Sequence, residues 1–144
     1  MKLFITLSKR TLCVILASLI IALILIGQLF TIKAGGIDGS TNAIRTEYIK
    51  SLGYNIDETA LSAKEIVIPE NFSEVYERYN ALQKKAGFDL SVFKGKEASV
   101  YTYRLSENEE TVINIIVSDN IIIGGDISSV RLNGDMKPLI PAYR

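Results

Sequence analysis

Hydrophobic and polar positions divide this chain of 144 residues into two unequal regions. From Leu12 to Phe30, 19 consecutive residues carry no charge and most are aliphatic, whereas charged residues recur throughout the chain from Asp38 onward. An α-helix of that length spans about 28 Å, which matches a bilayer core of roughly 30 Å. The pattern predicts a transmembrane helix over residues 12–32, after an N-terminal segment of residues 1–11.

The charges beside the apolar run predict its orientation. Lys2, Lys9 and Arg10 precede it, and only Lys33 follows it closely. Because basic residues stay on the cytoplasmic side, we expect a cytoplasmic N-terminus and an extracellular C-terminal domain at the cell membrane. A cleaved signal peptide is the alternative, although its apolar core has only about 7–15 residues. A buried helix of a globular core is a third interpretation.

After a glycine-rich linker over residues 33–40, residues 41–144 are expected to form one small domain. Apolar residues at helical spacing predict helices over Asn42–Leu52 and Phe72–Ala86, each followed by a glycine. Between them, Tyr54–Ile68 is expected to be mostly extended, and the β-branched run Ile66–Ile68 at its end predicts a strand.

Three more strands are predicted at Glu97–Leu105, at Thr111–Val117 and from Ile121 toward Val130. The turn-prone Asp-Asn pair before the last strand predicts a tight hairpin. The expected order is helix, strand, helix, then a three-stranded antiparallel meander. With both helices on one face of the sheet, the fold class is α+β, preceded by an N-terminal transmembrane helix.

Charge and residue types restrict the partners and the chemistry. Four of the 16 basic residues lie at or before Lys33 and all 16 acidic residues lie after it, so the outer part carries a net charge of −4. That charge argues against nucleic acid and anionic headgroups as partners. The chain has no histidine, and its single cysteine, Cys13, lies in the apolar run. We therefore expect no metal and no cofactor in the outer domain.

Two short motifs imitate those of penicillin-recognising enzymes. Ser91 and Lys94 match S-x-x-K, and Ser118-Asp119-Asn120 matches S-D-N. That chemistry needs the serine at the start of a buried helix, and a third motif, K-T-G, which the chain lacks. We interpret both motifs as turns and assign no catalytic residue.

Gly124-Gly125-Asp126 has two interpretations. A phosphate-binding loop needs a following helix N-terminus, but Ile127–Val130 has the pattern of a strand. We favour a β-bulge, at which glycine permits positive φ, over a ligand-facing strand edge.

Acidic residues form two further candidate sites. Glu107, Glu109 and Glu110 offer oxygen ligands for calcium, but their spacing matches no calcium loop and a solvated hairpin tip explains them. Glu74 and Glu77 are a candidate acid/base pair, but they lie on the polar face of the second helix. No metal site is assigned.

Tyrosines are numerous for so small a domain. We assign five of them to the core, with a binding surface as the alternative: Tyr48, Tyr76, Tyr79, Tyr101 and Tyr103. Asn71-Phe72-Ser73 matches a glycosylation sequon, but at a helix start it is expected to cap the helix.

Several short blocks of residues resemble those of a known family. The blocks are Lys50–Tyr54, Ile68–Phe72, Val75–Tyr76, Tyr79–Lys85, Gly87–Leu90, Lys94–Lys96, Tyr101–Tyr103 and Ile123–Asp126. The family comprises small membrane-anchored bacterial proteins, common in clostridia, classed only as a domain of unknown function. The resemblance spans about residues 42–139, with a departure at Gly134–Pro138. It implies the same membrane-anchored layout and supplies no catalytic residue, ligand or partner.

These observations lead to a functional hypothesis. We expect a single-pass membrane protein whose outer domain is a non-enzymatic module that binds a protein or peptide of the cell envelope. The alternative is a small hydrolase or inhibitor-like domain that uses Asp, Glu, Ser or Lys chemistry. A concave pocket with two converging carboxylates favours the enzyme, whereas a tyrosine-rich face or an open sheet edge favours the module.

Overall fold

The computed structural model describes residues 36–131 and 134–140. The predicted transmembrane helix over residues 12–32 and the segment over residues 1–11 lie outside these residues. All described residues belong to one compact unit, Gly36–Arg144. No helix among the described residues is long and apolar enough to span a membrane.

Six antiparallel strands form one sheet within the described residues. The elements in chain order are β1 (Ile37–Asp38), α1 (Asn42–Ser51), β2 (Ser62–Val67), α2 (Glu74–Lys85), a 3₁₀ helix (Leu90–Phe93), β3 (Glu97–Leu105), β4 (Asn108–Ser118), β5 (Ile121–Ser129) and β6 (Met136–Pro138). The strand order is β1-β5-β4-β3-β2, and β6 also pairs with β5. The predicted fold class is therefore wrong, because the described domain is strand-rich rather than two helices, one strand and a three-stranded meander.

The strands that sequence patterns did not predict have no hydrophobic alternation of their own. β1 has two residues and β6 has three, one of them Pro138, and both pair with the outer edge of β5. β2 begins before the predicted strand Ile66–Ile68, and its first four residues are all exposed. Pairing with a neighbouring strand, rather than burial, keeps these segments extended.

The two helices cover opposite faces of the sheet. Ile49 of α1 packs on the face that carries Tyr103 and Ile115, whereas α2 packs on the face that carries Ile116. Ile115 and Ile116 are adjacent along β4, so they point to opposite faces, and both are buried. The prediction that both helices share one face is wrong, because the central strands are apolar on both sides.

Side-chain caps begin the two helices where the sequence predicts. The Thr41 hydroxyl accepts a hydrogen bond from the Ile44 N–H at the start of α1. The Ser73 hydroxyl of the sequon likewise accepts one from the Tyr76 N–H at the start of α2. The predicted helices therefore agree with the observed ones within one or two residues.

A bulge lies beside the glycine pair of β5. Ile116 pairs with Gly124 and Val117 pairs with Ile122, so one residue of β5 has no partner on β4. The expected positive φ is wrong, since neither Gly124 nor Gly125 has one. Instead, a Cβ on Gly125 would lie 2.6 Å from the backbone oxygen of Asn114. Lack of space, not backbone conformation, requires glycine at this position.

We predict that Gly125→Val destabilises residues 36–144 by about 2–3 kcal/mol, because the added side chain has no room. Urea unfolding followed by circular dichroism measures the change. Ala63→Val on the exposed part of β2 is the matched control and should change stability by less than about 0.5 kcal/mol. Equal effects of the two substitutions would contradict the packing explanation.

Candidate functional site

A row of polar side chains crosses the sheet beneath α2. The Tyr79 hydroxyl donates to Asp126 Oδ1 (2.8 Å), and the Asn114 amide donates to Asp126 Oδ2 (3.0 Å) and to Ser128 Oγ (3.0 Å). The Thr102 hydroxyl donates to Asn114 Oδ1 (2.9 Å). The three sheet residues Thr102, Asn114 and Asp126 align because the strand register places them opposite one another. Asp126 is only 2% exposed, so its carboxylate relies on these donors.

α2 makes a second polar contact with β5. Gln83 is fully buried, and its Oε1 accepts a hydrogen bond from the Gly125 N–H (2.8 Å). Its Nε2 has no hydrogen-bond partner among the described residues. A Cβ on Gly124 would lie 2.9 Å from the Gln83 oxygen. The missing side chain of Gly124 therefore allows the helix to approach the strand closely.

The hydrogen bonds of the buried row hold α2 against the sheet. Burial, followed by the charge and hydrogen bond of Asp126, raises the pKa of Tyr79 above its ordinary range. The phenol consequently stays protonated and keeps its proton directed at the carboxylate. A buried carboxylate left without its donors is costly, so the row couples the position of α2 to β4 and β5.

A polar cavity of about 370 Å³ lies over β3 and the turn between β4 and β5, and it reaches β2 at Glu65. The carboxylates of Glu65, Glu97 and Asp119 line it. Glu65 pairs with Ser99, and Val67 pairs with Glu97, so Glu65 and Glu97 are diagonal neighbours on one face. Such neighbours lie roughly 7–8 Å apart. The cavity is therefore an acidic pocket that reaches the edge strand at Glu65.

β2 is the edge strand next to this cavity. The Ile68 N–H donates to the Lys96 carbonyl opposite it (2.9 Å), which sets the phase of the β2–β3 ladder. In an antiparallel ladder, alternate residues direct both backbone groups at the same neighbour. Lys64 therefore faces β3, whereas Ala63, Glu65 and Val67 direct their N–H and C=O groups to the outer edge. β2 contains no proline, and among the described strands it pairs with β3 alone.

The tyrosines lie mainly in or against the two cores, as predicted. Tyr103 is fully buried, and the other four pack against buried residues. An apolar groove of about 420 Å³ nevertheless opens beside Tyr76 and Tyr79. Val75 on its rim is 66% exposed and Met136 is 47% exposed. The groove is a surface extension of the packing between α2 and β6.

The S-x-x-K residues engage different partners. Ser91 lies in the 3₁₀ helix and donates its hydroxyl to Asp89 Oδ1 (2.6 Å). The Lys94 ammonium lies over the Phe72 ring, 4.4 Å from its centroid. The structure therefore does not bring this serine and lysine together as a nucleophile and its base.

The S-D-N residues form a tight turn, as predicted. Asp119 and Asn120 both have positive φ, which is the geometry of a two-residue hairpin. The Ser118 hydroxyl donates to the Glu97 carbonyl (2.7 Å). These residues join β4 to β5, and Asp119 contributes its carboxylate to the acidic cavity.

The acidic residues of the β3–β4 hairpin contact different partners. Glu107 accepts a hydrogen bond from the Asn55 amide (3.0 Å), whereas Glu110 forms an ion pair with Arg131. Over the described residues, no group of three or more acidic or thiol side chains is placed to hold a metal ion. Glu74 forms an exposed ion pair with Arg78 (3.0 Å), so the structure places it on the polar face of α2.

Two blocks of the family resemblance meet at one structural joint. The buried Asn80 donates to Asp89 Oδ1 (3.0 Å) and accepts from the Leu90 N–H (2.7 Å). Hydrogen bonds from the Ser91 hydroxyl, then from Asn80, lower the pKa of Asp89 below its usual range. These residues lock the end of α2 to the 3₁₀ helix, so their role is structural.

Sequence reasoning missed both the buried row and the acidic cavity. Tyr79 and Asp126 are 47 positions apart, and Glu65 and Glu97 are joined only by the strand register. The one local signal is Asp126, a charged residue inside an apolar strand. Such a residue is rarely buried unless it has partners.

The fold defines a small antiparallel sheet protein with a helix on each face. The family model described as domain of unknown function (DUF4830) matches residues 48–127, which is more than half of the chain. The chain therefore belongs to this family, and the predicted resemblance to a family of unknown function is confirmed at that level. Its clostridial origin and membrane anchor stay predictions. Neither the curated proteins nor the solved structures contain a match to the chain.

We predict that Tyr79→Phe destabilises residues 36–144 by about 1–3 kcal/mol, because it removes a donor from a buried carboxylate. Tyr79→Ala should cost about 3–5 kcal/mol, since it also leaves a cavity. A double-mutant cycle with Asp126→Asn, measured by urea unfolding, isolates the contact. Independent effects of the two substitutions would contradict direct coupling between these side chains.

Proposed function

We propose that the chain is a membrane-tethered binding module whose described domain acts outside the cytoplasm. The apolar run over Leu12–Phe30 and the basic residues before it support the tether and its orientation. The observation that carries the binding role is the edge of β2. The domain takes up an extended segment of a partner protein by adding it to β2 as a further strand.

The geometry of β2 suits strand addition. The residues Ala63, Glu65 and Val67 present backbone donors and acceptors at regular spacing along the edge. Proteins usually protect such an edge with charged side chains, proline, a bulge or a covering helix, because it pairs readily with other chains. In β2 the charges of Lys64 and Glu65 give this kind of protection, so the edge selects added strands by their charge. The last residue of β2, Val67, is 60% exposed. Added strands obtain affinity from the main chain and specificity from alternate side chains.

On the opposite side of the described sheet, the outer backbone groups of β5 already have partners. β1 pairs with β5 at Ile121 and Ile122, and β6 pairs with it from Asp126 to Ser128. Between them, the Gly125 N–H is already bonded to Gln83. Strand addition is therefore assigned to β2 and not to β5.

A second candidate function rests on the same acidic cavity. Glu65 and Glu97 lie on one face of the sheet and both line the cavity, as the two carboxylates of a glycosidase flank its substrate. A cell-envelope hydrolase would use one as acid and the other as base. Hydrolysis of a cell-wall oligosaccharide that is lost in Glu97→Gln would favour this alternative over the binding module.

The proposed topology makes a direct prediction. Alkaline phosphatase fused to the C-terminus should be active, because the enzyme folds only outside the cytoplasm, where disulfides form. A reporter that works only in the cytoplasm should be inactive at the same position. The reverse pattern would overturn the proposed orientation.

We predict that Ala63→Pro abolishes strand addition and leaves the fold intact. Proline removes the outward N–H of residue 63, which β3 does not use, and proline is tolerated on edge strands in that orientation. Nine-residue peptides selected by display on the full-length chain in detergent should bind the variant at least about tenfold more weakly.

Ala63→Val is the matched control for this experiment, because it keeps the N–H and should bind as the wild type does. Circular dichroism checks that both variants are folded. Peptides that bind Ala63→Pro and wild type equally would show that β2 is not the binding edge.

A further inference from the structure

We propose that the partner strand is basic, with Lys or Arg at alternate positions that face the acidic cavity beside β2. This inference rests on the proposed strand addition and names the chemistry of the segment that the edge accepts. Three observations support it. They are the residues of β2 whose backbone groups face outward, the acidic charges on one face of the sheet, and the like charges that would meet if β2 paired with a second copy of itself.

The phase of the ladder decides which partner side chains meet the cavity. Glu65 directs its backbone groups outward, so an added strand places one residue directly opposite it. Directly opposed residues project to the same face of a sheet. That partner side chain, and those two positions before and after it, therefore lie on the face of Glu65 and Glu97. The positions between them lie on the face of Lys64.

The charges around the cavity are unbalanced toward acid. Glu65, Glu97 and Asp119 line it, and the nearest basic side chain paired with them is Lys96, whose ammonium lies 3.7 Å from Asp119. Arg45 stacks on the Tyr101 ring from the α1 side, with its guanidinium carbon 3.6 Å from the ring centroid.

Arg45 forms its hydrogen bonds with residues inside the domain. It is buried, and it donates to the Tyr103 hydroxyl (3.0 Å) and to the Gly39 carbonyl (2.7 Å). Glu65 accepts a long hydrogen bond from the Ser99 hydroxyl (3.3 Å). The side chains of Glu65 on β2 and of Glu97 on the neighbouring strand β3 are both exposed. These two carboxylates are therefore available to a basic partner.

A second copy of the chain fits this edge poorly. Two identical antiparallel strands are related by a two-fold axis, so some residue lies opposite itself. The two registers with the longest overlap are centred on Lys64 or on Glu65. Each places like charges directly opposite one another, which is destabilising. A basic segment of another protein meets no such repulsion.

The test uses two synthetic peptides and the full-length chain in detergent micelles. One peptide is Thr-Lys-Val-Lys-Val-Lys-Thr, and the other replaces each Lys by Glu. The basic peptide should bind at least about tenfold more tightly than the acidic one. Hydrogen exchange resolved to single residues should slow at the amides of Ala63, Glu65 and Val67 when it binds.

Charge-removing variants test the cavity itself. Glu65→Gln and Glu97→Gln should each weaken the basic peptide about twofold to fivefold, as expected for exposed opposite charges. Glu77→Gln, which removes the same charge from the exposed face of α2, is the matched control and should change nothing. Thermal unfolding checks that each variant is folded.

The outcomes separate this inference from the proposed function. If both peptides bind equally and both protect the β2 amides, strand addition stands and the basic preference is wrong. If the basic peptide binds without protecting those amides, or binds Ala63→Pro unchanged, strand addition at β2 is wrong. Binding by neither peptide would overturn both.

Discussion

The hydrogen bond from the Gly125 N–H to the Gln83 side chain is the contact on which the arrangement of the domain depends. It lies at the outer edge of β5, between the stretches that pair with β1 and β6. A buried backbone donor without a partner is costly, so a side chain from α2 supplies what a strand would otherwise supply. The bulge changes which residues of β5 pair with β4, and the missing side chain of Gly124 admits Gln83 at close range.

The same contact acts together with the buried polar row, because both hold α2 on β5. With Gln83 and Tyr79 both bonded to β5, α2 is held across one face of the sheet. β1, Gln83 and β6 together occupy the outer edge of β5 in the described domain. The edge of β2 is not occupied in this way. The difference between the two edges is the structural basis for proposing that β2 receives a partner strand.

Sequence patterns predicted the elements whose stability is local. Both helices, the Asp119-Asn120 turn and the three long strands follow from periodicity, caps and turn residues. The short strands and the full length of β2 were missed, because β1, β6 and the start of β2 depend on pairing with distant residues. The two-sided sheet was missed for a related reason. Continuous apolar runs in β4 and β5 indicate burial on both faces, and they were interpreted as simple alternation.

The candidate site shows the same limit. Sequence patterns explained Gly125 by a positive φ, which the structure does not show. In the structure, glycine is needed there because a side chain would collide with the backbone oxygen of Asn114. The acidic cavity depends on the register of β2 and β3, which no local pattern reveals. Composition alone shows that residues 36–144 contain no cysteine and no histidine.

Amide hydrogen exchange of residues 36–144 tests the difference between the two edges most directly. The account predicts that the Gly125 amide exchanges only through global unfolding, together with Lys64 and Ile66, whose N–H groups face β3. The amides of Ala63, Glu65 and Val67 should exchange near the rates of an unstructured peptide. Rapid exchange at Gly125, or strong protection of the three outward amides of β2 in the isolated domain, would contradict the account.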